Sequence, residues 1–125
     1  MRCEAHEIVA RLIELDTHRA RMVVVTGGAG LIGSTLIRRL LERGDDVVCV
    51  DNLITGSWDN ISAWVDAGDI EFVRHDVSKP FEIEGEVDRV MHLASPASPK
   101  DFAELPIQIM KVGGLGSHNT LGLAR

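Results

Sequence analysis

The sequence contains no tyrosine, and its aromatic side chains are two tryptophans and three phenylalanines in 125 residues. Chemistry resting on a phenolic hydroxyl is therefore excluded from these residues. Cysteine is almost as scarce: Cys3 and Cys49 make neither a disulfide framework nor a metal site, and Cys49, inside an apolar run, reads as an inert buried thiol. His6, His18, His75 and His118 show no metal-ligand spacing. No apolar stretch approaches the roughly 20 residues that span a bilayer. The charged start (Arg2, Glu4, Glu7, Arg11, Glu14, Asp16) offers no signal-peptide core. Positive charge is in deficit, 13 Lys and Arg against 19 Asp and Glu for a net −6, which disfavours nucleic acid and anionic membrane as partners because both call for a basic patch. A reducing, cytoplasmic home is the expectation.

What is present is ordinary for one globular domain, 45% hydrophobic and 26% charged. Residues 1–21 read as a helical extension in which Ile8, Leu12, Ile13 and Leu15 form one apolar stripe. Residues 22–125 read as the principal domain. Met22–Thr26 and Asp46–Asp51 are β-branched runs of the kind buried on both faces of a parallel sheet. Ile70–Arg74 and Asp88–Ala94 are two further strands. Between the first two, Leu31, Ile32, Leu36, Ile37, Leu40 and Leu41 recur at helical spacing up to Gly44. A short helix is predicted over Asn60–Val65, a loop over Ser95–Pro99, and one helix from Pro106 to Arg125. Strands alternating with helices imply right-handed βαβ units, hence an α/β fold with four parallel strands in the order 3-2-1-4.

The chemistry-bearing segment joins the first strand to the first amphipathic helix: Gly27-Gly28-Ala29-Gly30-Leu31-Ile32-Gly33. Gly27 permits the tight turn, Gly30 admits a pyrophosphate to the backbone, and Gly33 lets the helix lie close on the sheet. The helix start then offers N–H groups and the positive end of its dipole to phosphate. About 20 residues on, Asp51 ends the second strand, where a carboxylate accepts from both adenosine ribose hydroxyls and opposes a 2′-phosphate. No arginine follows among Asn52, Leu53 and Ile54 to rescue such a phosphate, so NAD is favoured over NADP. Asp76, ending the third strand, is a candidate acceptor for the adenine amino group, with Val77 beside it. His92, inside the fourth strand, reads as a satisfied core histidine and not as a catalyst.

With these segments in hand, the chain resembles the extended short-chain dehydrogenase/reductase family of nucleotide-sugar enzymes, a Rossmann-fold group, and within it the UDP-glucuronate decarboxylase (UDP-xylose synthase) branch. The likeness runs from about Met22 to Arg125. It rests on Val25–Ser34, Asp51–Ser57, Arg74-His75-Asp76-Val77 and His92-Leu93-Ala94-Ser95-Pro96-Ala97-Ser98-Pro99. The resemblance implies that Gly27, Gly30, Leu31, Ile32 and Gly33 line the pyrophosphate and that Asp51, Asn52 and Gly56 surround the ribose. It places Asp76 and Val77 at the adenine, Leu93, Ala94 and Ser95 along the nicotinamide with Lys111 nearby, and Pro96, Ser98 and Pro99 beside the sugar. Gly113 stands where many members carry an asparagine, so that role does not transfer.

Such relatives oxidise the sugar at C4 by hydride transfer to NAD⁺, release CO₂ from the resulting β-keto acid, and return the hydride. Their base is a tyrosine in a Tyr-x-x-x-Lys helix, which this chain cannot provide. The resemblance therefore implies the N-terminal, cofactor-binding part of a longer enzyme, inactive alone, whose complete form is a homodimer acting on UDP-glucuronate. A 4-epimerase or 4,6-dehydratase shares the same cofactor half, and a non-catalytic NAD-binding module is the alternative from another class.

Overall fold

β1 (Met22–Thr26) and β2 (Asp46–Asp51) carry apolar side chains on both faces, and a computed structural model describing residues 4–15 and 22–125 sets them at the centre of a four-stranded sheet. β3 (Ile70–Arg74) pairs with β2, and β4 (Arg89–His92) pairs with β1. Every pairing is parallel and the order is β3-β2-β1-β4, as the alternation of elements predicts. In this register Thr26 lies beside Val50 on one side and His92 on the other, so three strands end level.

β4 is shorter than expected: Leu93 and Ala94 leave the ladder. The Leu93 N–H is shared between the Thr26 carbonyl oxygen at 3.0 Å and the Thr26 hydroxyl oxygen at 3.1 Å, and the Ala94 N–H donates to that hydroxyl at 3.3 Å, which ends the strand with its donors satisfied.

α2 (Leu31–Arg43) lays Leu36, Ile37 and Leu40 on one face of the sheet and ends at Gly44. Burying each of these side chains is worth about 1.5–3 kcal/mol, which fixes the helix axis over β1 and β2. The other face holds Val24, Val48, Val50, Val77 and Val112.

α1 (Glu4–Leu15) packs on α2, but on a different stripe from the one the sequence suggests. Val9 and Ala5 are buried, whereas Ile8 is exposed. Of the predicted stripe Ile8, Leu12, Ile13 and Leu15, Ile8 turns away from α2 while Leu12 is half-buried beside Ala5 and Val9. The side chains of Ile13 and Leu15, together with Cys3 and His18, lie outside the described residues.

After β2 the chain makes a 3₁₀ turn (Trp58–Asn60) and α3 (Ser62–Ala67), slightly later than the predicted Asn60–Val65 helix, with Ile61 buried between them. α4 (Pro99–Glu104) was not expected. Ser98 and Asp101 form a reciprocal capping box around its first turn, and Pro99 takes the first helical position. The last helical run is α5 (Pro106–Lys111), a wider π turn (Val112–Gly116) and α6 (Ser117–Leu123), where the sequence suggested one uniform helix.

Candidate functional site

The level strand ends create a cleft at the carboxyl edge of the sheet, the place where open α/β sheets bind ligands. It encloses about 610 Å³, open to solvent. At its floor β1 runs into the glycine-rich loop. Gly27 adopts a left-handed φ of 74°, and a Cβ there would stand 2.6 Å from the Leu93 carbonyl oxygen. A Cβ on Gly33 would collide with the Gly27 carbonyl oxygen. Both glycines are thus demanded by the packing of β1, β4 and α2 upon one another. Gly30 is the N-cap of α2 and supplies no side-chain cap. The N–H groups of Leu31, Ile32 and Gly33 consequently have no partner within the helix and face the loop with the positive end of the helix dipole behind them. The side chains of Leu31 and Ile32 are exposed, so these two residues offer a ligand their backbone.

Asp51 is buried at the tip of β2. One carboxylate oxygen accepts from the Ala29 N–H at 3.0 Å and the other from the Leu53 N–H at 2.8 Å. Each oxygen keeps a lone pair for a hydroxyl donor in the cleft. The second bond also holds Leu53 in the left-handed region, at a φ of 61°, an uncommon conformation for a branched side chain. Asn52 accepts from the Ile54 N–H at 3.1 Å, shaping the turn that leads to Gly56.

Asp76 does not end the adjacent strand as the sequence suggested: it lies two residues beyond β3, in the loop that leaves it. The Ser78 hydroxyl donates to its carboxylate at 2.7 Å and the Ser78 N–H at 3.0 Å. The hydroxyl bond is the main reason its carboxyl is held below the usual range, against partial burial, with Lys79 and His75 adding to the effect. His75 lies over Phe81, ring centroids 5.1 Å apart.

At the other end, Thr26 Oγ1 already accepts from Leu93 and Ala94, so its hydroxyl hydrogen goes to His92 Nδ1 at 2.7 Å. Burial lowers the His92 pKa, with the Val112 bond opposing. The Nδ1 bond to Thr26 ties the end of β4 to the end of β1, which agrees with a structural histidine. Cys49 lies beneath Gly28, its thiol pushed up to about 12 by burial and by the Asp51 charge, and is unreactive for that reason.

Among the residues singled out from the sequence, Gly27, Gly30, Asp51, Asn52 and Gly56 line one side of the cleft, with Asp76 and Val77 at one end. Leu93, Ala94, Ser95 and Pro96 form the other end. Leu31, Ile32, Gly33, Lys111, Ser98 and Pro99 are not in its lining. Lys111 is exposed at the end of α5, and Ser98 and Pro99 begin α4. The structure adds Ile54, Thr55, His75, Gln108 and Val112 to the walls. Gln108 and Val112 stand four residues apart on one helical run, a same-face spacing that was readable in advance.

The profile of the NAD dependent epimerase/dehydratase family matches residues 23–125. Over 103 residues the chain is 46% identical to UDP-glucuronic acid decarboxylase 4 of Arabidopsis thaliana, covering 82% of this chain and 23% of that protein. It is 42% identical over 114 residues to UDP-glucuronic acid decarboxylase 1 of Danio rerio, covering 91% and 26%. Among solved structures, the UDP-glucose 4-epimerase of Thermus thermophilus in complex with NAD superimposes with a TM-score of 0.64 at 33% identity, over 82% of this chain and 33% of that one. The chain thus spans about a quarter of the length of these curated relatives.

Proposed function

Because the chain belongs to the NAD dependent epimerase/dehydratase family, we propose that it is the cofactor-binding portion of a nucleotide-sugar enzyme of the UDP-glucuronate decarboxylase type. NAD is the cofactor of this family, and when bound it supplies a hydride acceptor that later returns the hydride. One observation carries the proposal. Gly27 and Gly30, in the turn that leads into the uncapped start of α2, line the same cleft as Asp51. A pyrophosphate fits the first and a ribose diol the second.

The same reading assigns the remaining roles. Asp51 binds and orients the adenosine ribose. The α2 N–H groups neutralise the pyrophosphate, and Asp76 with Val77 borders the adenine. Leu93, Ala94 and Ser95 line the nicotinamide end. Pro96 borders the sugar. Proton transfer at the sugar hydroxyl needs a base that these residues, without a tyrosine, do not contain.

Isothermal calorimetry with NAD⁺ and NADP⁺ tests the cofactor assignment. At about 4 Å, repulsion between the Asp51 carboxylate and a 2′-phosphate is worth from about 1 kcal/mol in water to about 4 at an effective dielectric near 20. NAD⁺ is therefore expected to bind at least several-fold more tightly, and Asp51→Ala to weaken NAD⁺ and erase the preference. Equal affinity for the two cofactors would refute the role of Asp51. Supplied with UDP-glucuronate and NAD⁺, the 125-residue chain is expected to release no CO₂; measurable release would refute the need for an added base.

The higher identity to the decarboxylases favours that substrate. Likeness to the 4-epimerase supports UDP-glucose as the second reading. Competition between the two nucleotide sugars for the NAD⁺-loaded chain separates them.

A further inference from the structure

The glycine-rich loop is held from a direction that its own motif does not reveal. Ala29, at its centre, is fully buried. Its N–H donates to Asp51, and its carbonyl oxygen accepts two bonds from the turn after β2: the Ser57 N–H at 3.0 Å and the Asn60 side-chain amide at 2.8 Å. In a trans peptide the C=O and the next N–H point in opposite directions. Fixing the Ala29 carbonyl toward Asn60 therefore aims the Gly30 N–H at the Gly27 carbonyl, 3.1 Å away, and closes the turn that opens α2. A flipped peptide would put an oxygen where that N–H stands and undo the first turn of the helix.

We propose that Asn60 is a positioning residue for cofactor binding, holding the phosphate loop in its phosphate-accepting form through the Ala29 carbonyl. Asn60 is not in the cleft lining, so it acts through the loop and not by contact. The inference rests on the NAD-binding reading above. It adds that the turn after β2 supports both ends of the adenosine diphosphate, the ribose through the Leu53 N–H on Asp51 and the pyrophosphate through Asn60 on Ala29.

The test compares the full chain with Asn60→Asp, which keeps the size but replaces the donor with an acceptor, and with Asn60→Ala. Amide hydrogen exchange at Gly30 is read alongside affinities for NAD⁺ and for adenosine, which lacks the pyrophosphate. Asn60→Asp is expected to speed exchange at Gly30 and to weaken NAD⁺ by about tenfold, the scale of one lost hydrogen bond. Adenosine binding should stay within about twofold, and Asn60→Ala should fall between the two chains. Unchanged exchange at Gly30, or an equal loss of NAD⁺ and adenosine, overturns the proposal. Failure of the unsubstituted chain to bind NAD⁺ would instead refute the cofactor reading, so the two failures are distinguishable.

Discussion

Gly33 shows how little room the loop has. Its missing side chain is what allows α2 to approach the Gly27 carbonyl, so Gly33→Ala must push the helix from the sheet. Overpacking of this kind costs about 1–3 kcal/mol, and a fall in the denaturant midpoint of that size is expected, together with loss of NAD⁺ binding. A midpoint within experimental error of the unsubstituted chain would contradict the tight approach. At this scale much of the site was readable. Gly27, Gly30 and Asp51 declared themselves because each meets a backbone or charge requirement that few residue types satisfy. Ala29 and Asn60 did not. Ala29 acts through its peptide groups, which every residue has, and Asn60 acquires its partner only when the loop folds back across 31 positions.

The first helix makes the complementary point for elements. Ile8 was misplaced on its packing face because Ile8 and Val9 start equally good helical patterns, and only the surface of α2 chooses between them. Val9→Ala removes two buried carbon groups and is expected to cost about 2 kcal/mol, counting transfer and some cavity. Ile8→Ala should be close to neutral; equal effects from both would reverse the assignment. The strands were legible to the residue for β1, β2 and β3, since their burial on both faces or at a turn boundary is written in composition. α4 left a signal too, in the Ser98-x-x-Asp101 spacing of its cap. The π turn was not read in advance; it brings Gly116 against the Val77 and His92 side chains, a tertiary contact.

For the whole molecule, acid should act in two stages. His92 has a folded pKa below its ordinary 6.5, so the unfolded chain takes up its proton first. Stability is level above that value and declines as pH falls below it, until the folded histidine also titrates. Asp76 has a folded pKa below 3.8, so its contribution persists above that value and disappears as pH falls through the folded pKa. Urea unfolding across pH should show both declines, and His92→Gln should remove the first. Loss of stability toward alkaline pH from about neutrality, without an acid decline, would contradict this sign.

Solubility belongs to the same scale. Among the described residues β4 is an edge of the sheet, with Val90 and Met91 only half-buried. Unpaired apolar edges template association. Sedimentation of the isolated chain is expected to show mass rising with concentration, whereas a monomer that melts cooperatively would argue against an exposed edge.

The strand order also sets a sequence in time. Asp51 meets Ala29 across 22 positions, but Thr26 meets His92 only across 66. Closing a threefold longer loop costs about 1 kcal/mol more entropy, and distant pairings form late. The β1–α2–β2 unit with its phosphate loop can assemble while β4 is still unpaired. On the proposed cofactor reading, the residues assigned to pyrophosphate and ribose are therefore expected to come together during folding before those assigned to the nicotinamide end. A dinucleotide present at that moment would first be gripped by its adenosine half, and would template the docking of the last strand.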